Sequence, residues 1–294
     1  MKHAQSEGKP QISSRTRTLG ILGWPLGHSL SPIMQNAAFA AGGQNCVYLA
    51  FPVAPEQLSA AVMGMKALGF MGANVTIPHK IAIQEYLDDI AEDARLAGAV
   101  NTLVFREGRV TGHNTDAGGF MAALPASLRT MQGKSAVVLG AGGAARAVVA
   151  GLVVAGCRKL TVVARTPERG QELAASFNQM ANITLCGWQD SVLNRSLADC
   201  SLLVNSTPLG MSPEVTKEPP VDWAALAPAA VVCDLVYNPR VTRFLERAQA
   251  RGHQVVSGDG MLLEQGILAY QLWTGQEAPR QRMQEALKAA LTGL

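Results

Sequence analysis

Between Gly72 and Lys80 the chain reads Gly-Ala-Asn-Val-Thr-Ile-Pro-His-Lys, which sets an amide, a hydroxyl and an amine on one short segment. Asn74 and Thr76 are two apart, so on an extended strand they face the same side. Pro78 fixes the backbone beyond them, and Lys80 opens the apolar run Ile81-Ala82-Ile83. Polar groups gathered inside an apolar region suit hydrogen bonding to, and proton exchange with, a small polar molecule. A capped turn with a solvated lysine would use the same residues, so the segment alone leaves both readings open.

A second candidate site is Gly140-Ala141-Gly142-Gly143-Ala144-Ala145, a G-x-G-x-x-A run after the apolar Ala136-Val137-Val138-Leu139. Gly140 permits a tight turn, Gly142 lets the backbone approach a pyrophosphate, and Ala145 keeps helix and sheet close. The amides of Gly143 and Ala144 would then open a helix whose dipole favours phosphate. A tight structural turn is the competing use of such glycines. The nucleotide is chosen at the end of the next strand, where an NAD site usually carries Asp or Glu. This chain has Ala164-Arg165-Thr166-Pro167-Glu168-Arg169 there. With a helix starting at Pro167, Arg165 and Arg169 can flank one anion, and guanidinium groups bind phosphate by paired hydrogen bonds. NADP is therefore the expected cofactor.

The elements that must position these groups alternate strand with helix. Strands are expected at Thr18–Gly23, Val47–Val53, Gly72–Ile77 and in a hairpin about Glu107-Gly108. Helices are expected at Pro32–Ala41, Pro55–Leu68, after the Gly72–Ile77 strand through Leu87, and from Ala117 to Leu128. A second series begins at Lys134–Leu139 and continues with strands at Leu160–Ala164, Ile183–Leu185, Leu202–Asn205, Val231–Leu235 and Gln254–Val256. This order implies mostly parallel sheets with right-handed crossovers, the second unit being the mononucleotide-binding half of a dinucleotide fold. The predicted class is α/β in two domains, an N-terminal substrate-binding domain and a Rossmann-type NADP-binding domain, with a catalytic cleft between them. Expected boundaries are a disordered tail at 1–17, a substrate domain at 18–117 plus 260–294, and a nucleotide domain at 118–259. The helices Met261–Trp273 and Arg280–Leu291 have no strand of their own and are expected to return to the first domain.

Bulk properties exclude several classes. The chain of 294 residues suits two domains of roughly 100–200 residues each. A net charge of +3, evenly spread, argues against nucleic acid or a membrane surface as partner. No apolar run approaches the roughly 18 residues of a membrane helix, and the polar N-terminus is no signal peptide. Five cysteines at wide spacing, without Cys-x-x-Cys, point to reduced thiols in a cytoplasmic protein and to no structural metal. No Tyr-x-x-x-Lys pair marks a short-chain dehydrogenase, and no Cys/His cluster would hold catalytic zinc.

Four polar segments complete the picture: Gly23-Trp24-Pro25-Leu26-Gly27-His28-Ser29-Leu30-Ser31-Pro32, the Asn74 to Lys80 stretch, Gly98-Ala99-Val100-Asn101-Thr102, and Gly112-His113-Asn114-Thr115-Asp116. With the glycine fingerprint, Asn205-Ser206-Thr207-Pro208-Leu209-Gly210-Met211, Asp234-Leu235-Val236-Tyr237-Asn238-Pro239 and Gly258-Asp259-Gly260-Met261 through Gln265, they resemble the shikimate dehydrogenase family in order and spacing. The resemblance runs from about Leu19 to the last helix. It implies reversible NADP-linked interconversion of shikimate and 3-dehydroshikimate by a monomer or homodimer. It implies further that Lys80 and Asp116 are the catalytic pair and that Ser29 and Ser31 bind the substrate carboxylate. Thr76, Asn101, Asp116 and Gln265 match ring-hydroxyl contacts, with Tyr237 nearby. On the cofactor it carries over to Gly140, Gly142, Gly143, Ala144, Ala164, Arg165, Thr166, Arg169, Asn205, Ser206, Thr207, Val236 and Gly258. Ala164 replaces a common asparagine, and Asp259 stands where the family usually has an apolar residue. Quinate as a second substrate, with NAD, is the alternative that Arg165 and Arg169 oppose, and a ligand-sensing module without turnover is a further one. Ser29 and Ser31 also suit a helix cap. His28, His79 and His113 adjoin the site, where a histidine is more often structural.

Overall fold

The computed structural model describes residues 12–27 and 29–292. Residues 1–11 of the expected tail, and His28, lie outside them. The chain opens with β1 (Arg17–Gly23), α1 (Ser31–Ala41), β2 (Cys46–Pro52), α2 (Leu58–Ala67), β3 (Gly72–Val75), β4 (Asp89–Ile90), α3 (Glu92–Ala97), β5 (Thr102–Arg106), β6 (Arg109–His113) and α4 (Asp116–Ala123). It continues with β7 (Ser135–Leu139), α5 (Gly143–Val154), β8 (Lys159–Val163), α6 (Pro167–Phe177), β9 (Asn182–Cys186), α7 (Ser191–Asp199) and β10 (Leu202–Asn205). Then come β11 (Val231–Asp234), α8 (Arg243–Gln249), β12 (Val255–Val256), α9 (Gly258–Thr274) and α10 (Arg280–Thr292).

Two compact units result. The first holds the described residues up to Ala91, Val100–His113 and Gly266–Ala290, and the second holds Glu92–Ala99, Asn114–Gln265 and residues 291–292. The changeovers at His113/Asn114 and Gln265/Gly266 lie a few residues from the boundaries expected at 117/118 and 259/260, because α4 packs on α5 of the second unit.

The first unit is built on a sheet of order β2-β1-β3-β5-β6-β4. β1 runs parallel to β2 and β3, whereas β5 is antiparallel to both β3 and β6. Glu107 at φ 52° and Gly108 at φ 73° form the tight turn that reverses β5 into β6. The C-terminal half of α9 supplies its aromatic core. Tyr270 stacks on Phe39 at 5.4 Å, Trp273 lies 5.9 Å from Tyr48, and the Trp273 indole N–H donates to the Leu103 carbonyl at 2.9 Å. A Cβ on Gly72 would come within 2.2 Å of Trp273 Nε1, so only glycine lets the indole lie over β3.

The second unit carries a wholly parallel sheet of order β12-β11-β10-β7-β8-β9. Its inner strands β7, β8, β10 and β11 are largely apolar and buried because both faces are covered, and α5 is buried over Ala145–Val153. The strand order reverses between β7 and β10, which is the switch point of a doubly wound fold.

Two helix predictions need correction. The stretch after Lys80 is a turn and a short 3-10 helix at Ala82–Tyr86, not an α-helix through Leu87. Ile83 is its one buried residue, so no apolar stripe anchors further turns. The helix expected over Ala117–Leu128 stops at Ala123. Leu124 precedes Pro125 and is extended at φ −71° and ψ 153°, as the proline ring requires of the residue before it. β3 likewise ends at Val75 rather than Ile77, and β4 and α3 had no expectation in the sequence reading.

Candidate active site

In the first unit the candidate residues sit at the ends of β1, β3 and β5. Ser31 begins α1 and is buried, while Ser29 is half-buried and its hydroxyl accepts weakly from the Ser31 amide at 3.4 Å. The helix N-cap is Leu30, without a side-chain cap, so the capping use of these serines is limited to that one long bond. Tyr48 is fully buried, and that burial pushes its phenol well above its ordinary value. Thr76 follows β3, its amide donating to Leu22 at 2.8 Å and its carbonyl accepting from His79 at 2.9 Å. A Cβ at Gly23 would lie 2.4 Å from Thr76 Cγ2, so glycine there keeps Thr76 seated against β1. Lys80 is half-buried and its carbonyl accepts from Val100 at 2.7 Å, which ties the lysine turn to the Asn101 segment.

Asn101 is buried, held by its own amide donating to His113 at 3.0 Å and its carbonyl accepting from Val75 at 2.8 Å. Its Oδ1 accepts from the Thr102 hydroxyl at 3.1 Å. Asn74 is spent inside the unit. Its Oδ1 accepts from Tyr48 at 2.6 Å, and its Nδ2 donates to the Asn101 carbonyl at 3.2 Å and the Thr102 hydroxyl at 3.1 Å. The Asn74 amide of the opening segment is therefore committed to holding the sheet's interior. His79 is also structural, because Val53 O only accepts and therefore takes the Nε2 proton at 2.7 Å.

In the second unit Asp116 is buried at the start of α4. Asn114 fixes that turn, donating to the Ala99 carbonyl at 2.8 Å and accepting from the Ala117 amide at 3.1 Å. Gln265 is buried and donates to Leu262 O at 2.7 Å. A Cβ on Gly119 would come within 2.6 Å of the Gln265 amide nitrogen, so α4 and α9 meet backbone to backbone at these two candidates. Tyr237 follows β11 half-buried, and burial raises its phenol.

The glycine turn separates what the fold demands from what it does not. Gly140 has φ +112°, and a Cβ there would lie 2.8 Å from Ser206 Oγ, so the protein itself requires glycine. Gly142, the N-cap of α5, has φ −88° and ψ −171°, open to any residue, and a Cβ there would touch nothing within 4 Å. Packing does not explain that glycine, whereas a pyrophosphate laid against the helix N-terminus does. The residues present therefore fit a dinucleotide. Gly143 and Ala144 open α5, which has no side-chain cap. Arg165, Thr166 and Arg169 are exposed after β8, and α6 starts at Pro167 with Thr166 as its N-cap. Among the described residues no carboxylate pairs with either guanidinium.

The loop after β10 is held by a residue to which the sequence reading gave no role. Asp234, fully buried at the end of β11, accepts from Asn205 Nδ2 at 2.9 Å, the Val236 amide at 3.0 Å and Thr242 Oγ1 at 2.6 Å. Burial outweighs these donors and pushes its carboxyl up to about 6. Asn205 in turn accepts from the Thr207 amide at 3.0 Å and hydroxyl at 2.6 Å, and Ser206 donates to Leu139 O at 2.7 Å. A lone acid closing the apolar strand Val231-Val232-Cys233-Asp234 was the signal available. Gly258 packs on β11's exit, where a Cβ would meet Leu235 O at 2.2 Å, and its amide donates to Val236 O at 3.3 Å. The unexpected Asp259 is neutralised by Arg240 at 3.0 Å and also accepts from Ser257. Among the described residues there is no cluster of metal-ligating side chains, no helix long and apolar enough to cross a membrane, and five buried free cysteines.

Residues 21–103 match the shikimate dehydrogenase substrate binding domain, residues 124–216 the shikimate / quinate 5-dehydrogenase family, and residues 258–288 the shikimate 5'-dehydrogenase C-terminal domain. NADP(+) shikimate dehydrogenase of Moorella thermoacetica is 48% identical over 284 residues, covering 96% of each chain. A crystal structure of a shikimate dehydrogenase in complex with NADP+ superposes with a TM-score of 0.89 at 39% identity, over 96% of this chain and 98% of that one. The Thermus thermophilus shikimate 5-dehydrogenase in complex with NADP(H) and shikimate gives a TM-score of 0.83 at 37% identity, over 94% of this chain and 100% of that one.

Proposed function

The chain belongs to the shikimate dehydrogenase family, and we propose that it catalyses the reversible NADP-linked reduction of 3-dehydroshikimate to shikimate in the route to chorismate and the aromatic amino acids. One observation carries the cofactor half of this reading. The Gly140–Ala145 turn stands at the switch point of a parallel sheet, and the neighbouring strand is followed by Arg165 and, in the first turn of α6, Arg169, with which no carboxylate pairs among the described residues. Gly140, Gly142, Gly143 and Ala144 would cradle the pyrophosphate through backbone amides. Arg165, Thr166 and Arg169 would hold the 2′-phosphate, with Ala164 beside the adenosine. Asn205, Ser206, Thr207, Val236 and Gly258 would form the remaining wall.

The bound nicotinamide supplies or accepts the hydride. Everything else falls to side chains. When a ketone becomes a secondary alcohol its oxygen must gain a proton, and Lys80 is assigned to deliver it, taking it back in the reverse direction. Asp116 is assigned as the second member of the catalytic pair, since a carboxylate favours the charged form of an amine. Ser29 and Ser31 hold the carboxylate, while Thr76, Asn101, Asp116 and Gln265 bond the ring hydroxyls, with Tyr237 nearby. Substrate is then fixed at both ends, so the reacting carbon is held in one position.

Initial rates with shikimate and with quinate, each with NADP+ and NAD+, test the assignment. Shikimate with NADP+ far ahead is the expected result. Equal rates with quinate or NAD+ would overturn the specificity, and absence of turnover from folded protein that binds NADP+ would overturn the activity.

A further inference from the structure

Three stretches of the second unit meet on one side chain. Asp234 closes β11 and accepts from Asn205 Nδ2, the Val236 amide and Thr242 Oγ1. Those donors stand at the end of β10, in the loop after β11 and at the cap of α8, where Thr242 Oγ1 also accepts from the Leu245 amide at 3.3 Å. Asn205, Asp234 and Thr242 are all fully buried.

Proton counting shows what this hold leaves of the stretch Asn205-Ser206-Thr207. The Thr207 amide only donates, so the Asn205 atom facing it at 3.0 Å is Oδ1. The other end is then Nδ2, and its two protons go to Asp234 Oδ1 at 2.9 Å and to the Leu209 carbonyl at 3.3 Å. Thr207 Oγ1 accepts from the Leu209 amide at 3.3 Å and spends its one proton on Asn205 Oδ1 at 2.6 Å. Ser206 spends its own on the Leu139 carbonyl at 2.7 Å, beside the glycine turn. None of the three keeps a side-chain proton for a ligand, so the loop serves one through its shape rather than through side-chain donors.

We propose that Asp234 is a positioning residue for the cofactor: through Asn205 it holds Ser206 and Thr207 beside the glycine turn in the shape a dinucleotide requires. The inference rests on the reading of Asn205, Ser206 and Thr207 as part of the cofactor wall. Asn205 is the joint, because one end of its amide is fixed by the carboxylate and the other fixes Thr207. Without the carboxylate, a buried Asn205 N–H and the Val236 N–H lose their acceptor, and a hydrogen bond broken away from water is not replaced by solvent.

The test is a double-mutant cycle on the full-length enzyme, with KM for NADP+ and for shikimate read separately and folding checked by thermal unfolding. Asp234→Ala is expected to raise KM for NADP+ about tenfold, to leave KM for shikimate within about twofold, and to add less than about twofold once Asn205→Ala is present. Asp234→Asn keeps an acceptor for Asn205 and Val236 and should return KM for NADP+ to near wild type. An unchanged KM for NADP+, an effect that persists in the Asn205→Ala background, or one that falls equally on shikimate overturns the proposal. Asn205→Ala with unchanged KM for NADP+ overturns the reading of this loop as cofactor wall, and the proposal with it. Should Asp234→Ala fail to fold, Thr242→Val, which loosens the carboxylate but leaves it in place, is read against Asn205→Ala. A rise in KM for NADP+ of more than about threefold that vanishes when residue 205 is alanine and is reversed in Thr242→Ser supports the positioning role, and a smaller or additive effect overturns it.

Discussion

At the residue scale, acid–base chemistry and cofactor choice rest on few groups. Removing the amine in Lys80→Ala is expected to lower kcat by about 10²–10⁴, the usual worth of a positioned proton donor. Shikimate affinity, measured by titration at fixed NADP+, should change far less, and equal losses in both would mean that Lys80 binds rather than reacts. Arg165→Ala combined with Arg169→Ala removes the charge-assisted bonds assigned to the 2′-phosphate. KM for NADP+ should rise about 10–100-fold while KM for NAD+ stays within about twofold, and steady-state kinetics with both cofactors decides the matter. Asp116 and Lys80 are ordinary residue types that become informative only through their neighbours, which explains why residue type alone left a solvated lysine as an open alternative.

At the element scale, the ends of β10 and β11 depend on one buried carboxylate. Asp234 has no cation beside it among its hydrogen-bond partners, and its carboxyl sits at about 6 rather than 3.8. Because the folded-state value is raised, the protonated form is favoured by folding. Its stabilisation is complete below about pH 4 and is lost as pH rises through about 6, a swing of at most about 3 kcal/mol. Asp234→Asn keeps an acceptor for Asn205 and Val236 and cannot ionise. Urea unfolding at pH 4, 5, 6 and 7 should show wild type losing stability relative to Asp234→Asn as pH rises, and parallel curves would contradict the assignment. The pattern of elements was largely legible: β1, α1, β2 and every strand of the second sheet fall close to their apolar runs. The helix expected from Ala117 to Leu128 runs across Pro125, which holds Leu124 extended and so ends the helix at Ala123. The α-helix drawn after Lys80 had no such flag, because a run of apolar residues does not say how many of them find a partner.

At the scale of the whole molecule, the first unit is closed by segments at opposite ends of the chain. Trp273 reaches Leu103 across 170 residues and fills the space that Gly72 leaves open. Trp273→Ala should cost about 3–5 kcal/mol by urea denaturation, the range for emptying a buried aromatic site, and a loss under about 1 kcal/mol would show that other side chains close it. The sequence by itself determined the two-unit α/β organisation, the glycine turn with its following arginines, and the family, since each depends on short-range periodicity or on residues adjacent in the chain. It could not tell that Asn74 bonds Tyr48 and Thr102, that Asp234 holds the Asn205 loop, or that Gly142 is a glycine for which packing has no use. Those facts depend on which buried polar atoms face one another across strands. Only tertiary packing decides that, because a hydrogen bond between residues distant in sequence leaves no local trace in composition or period.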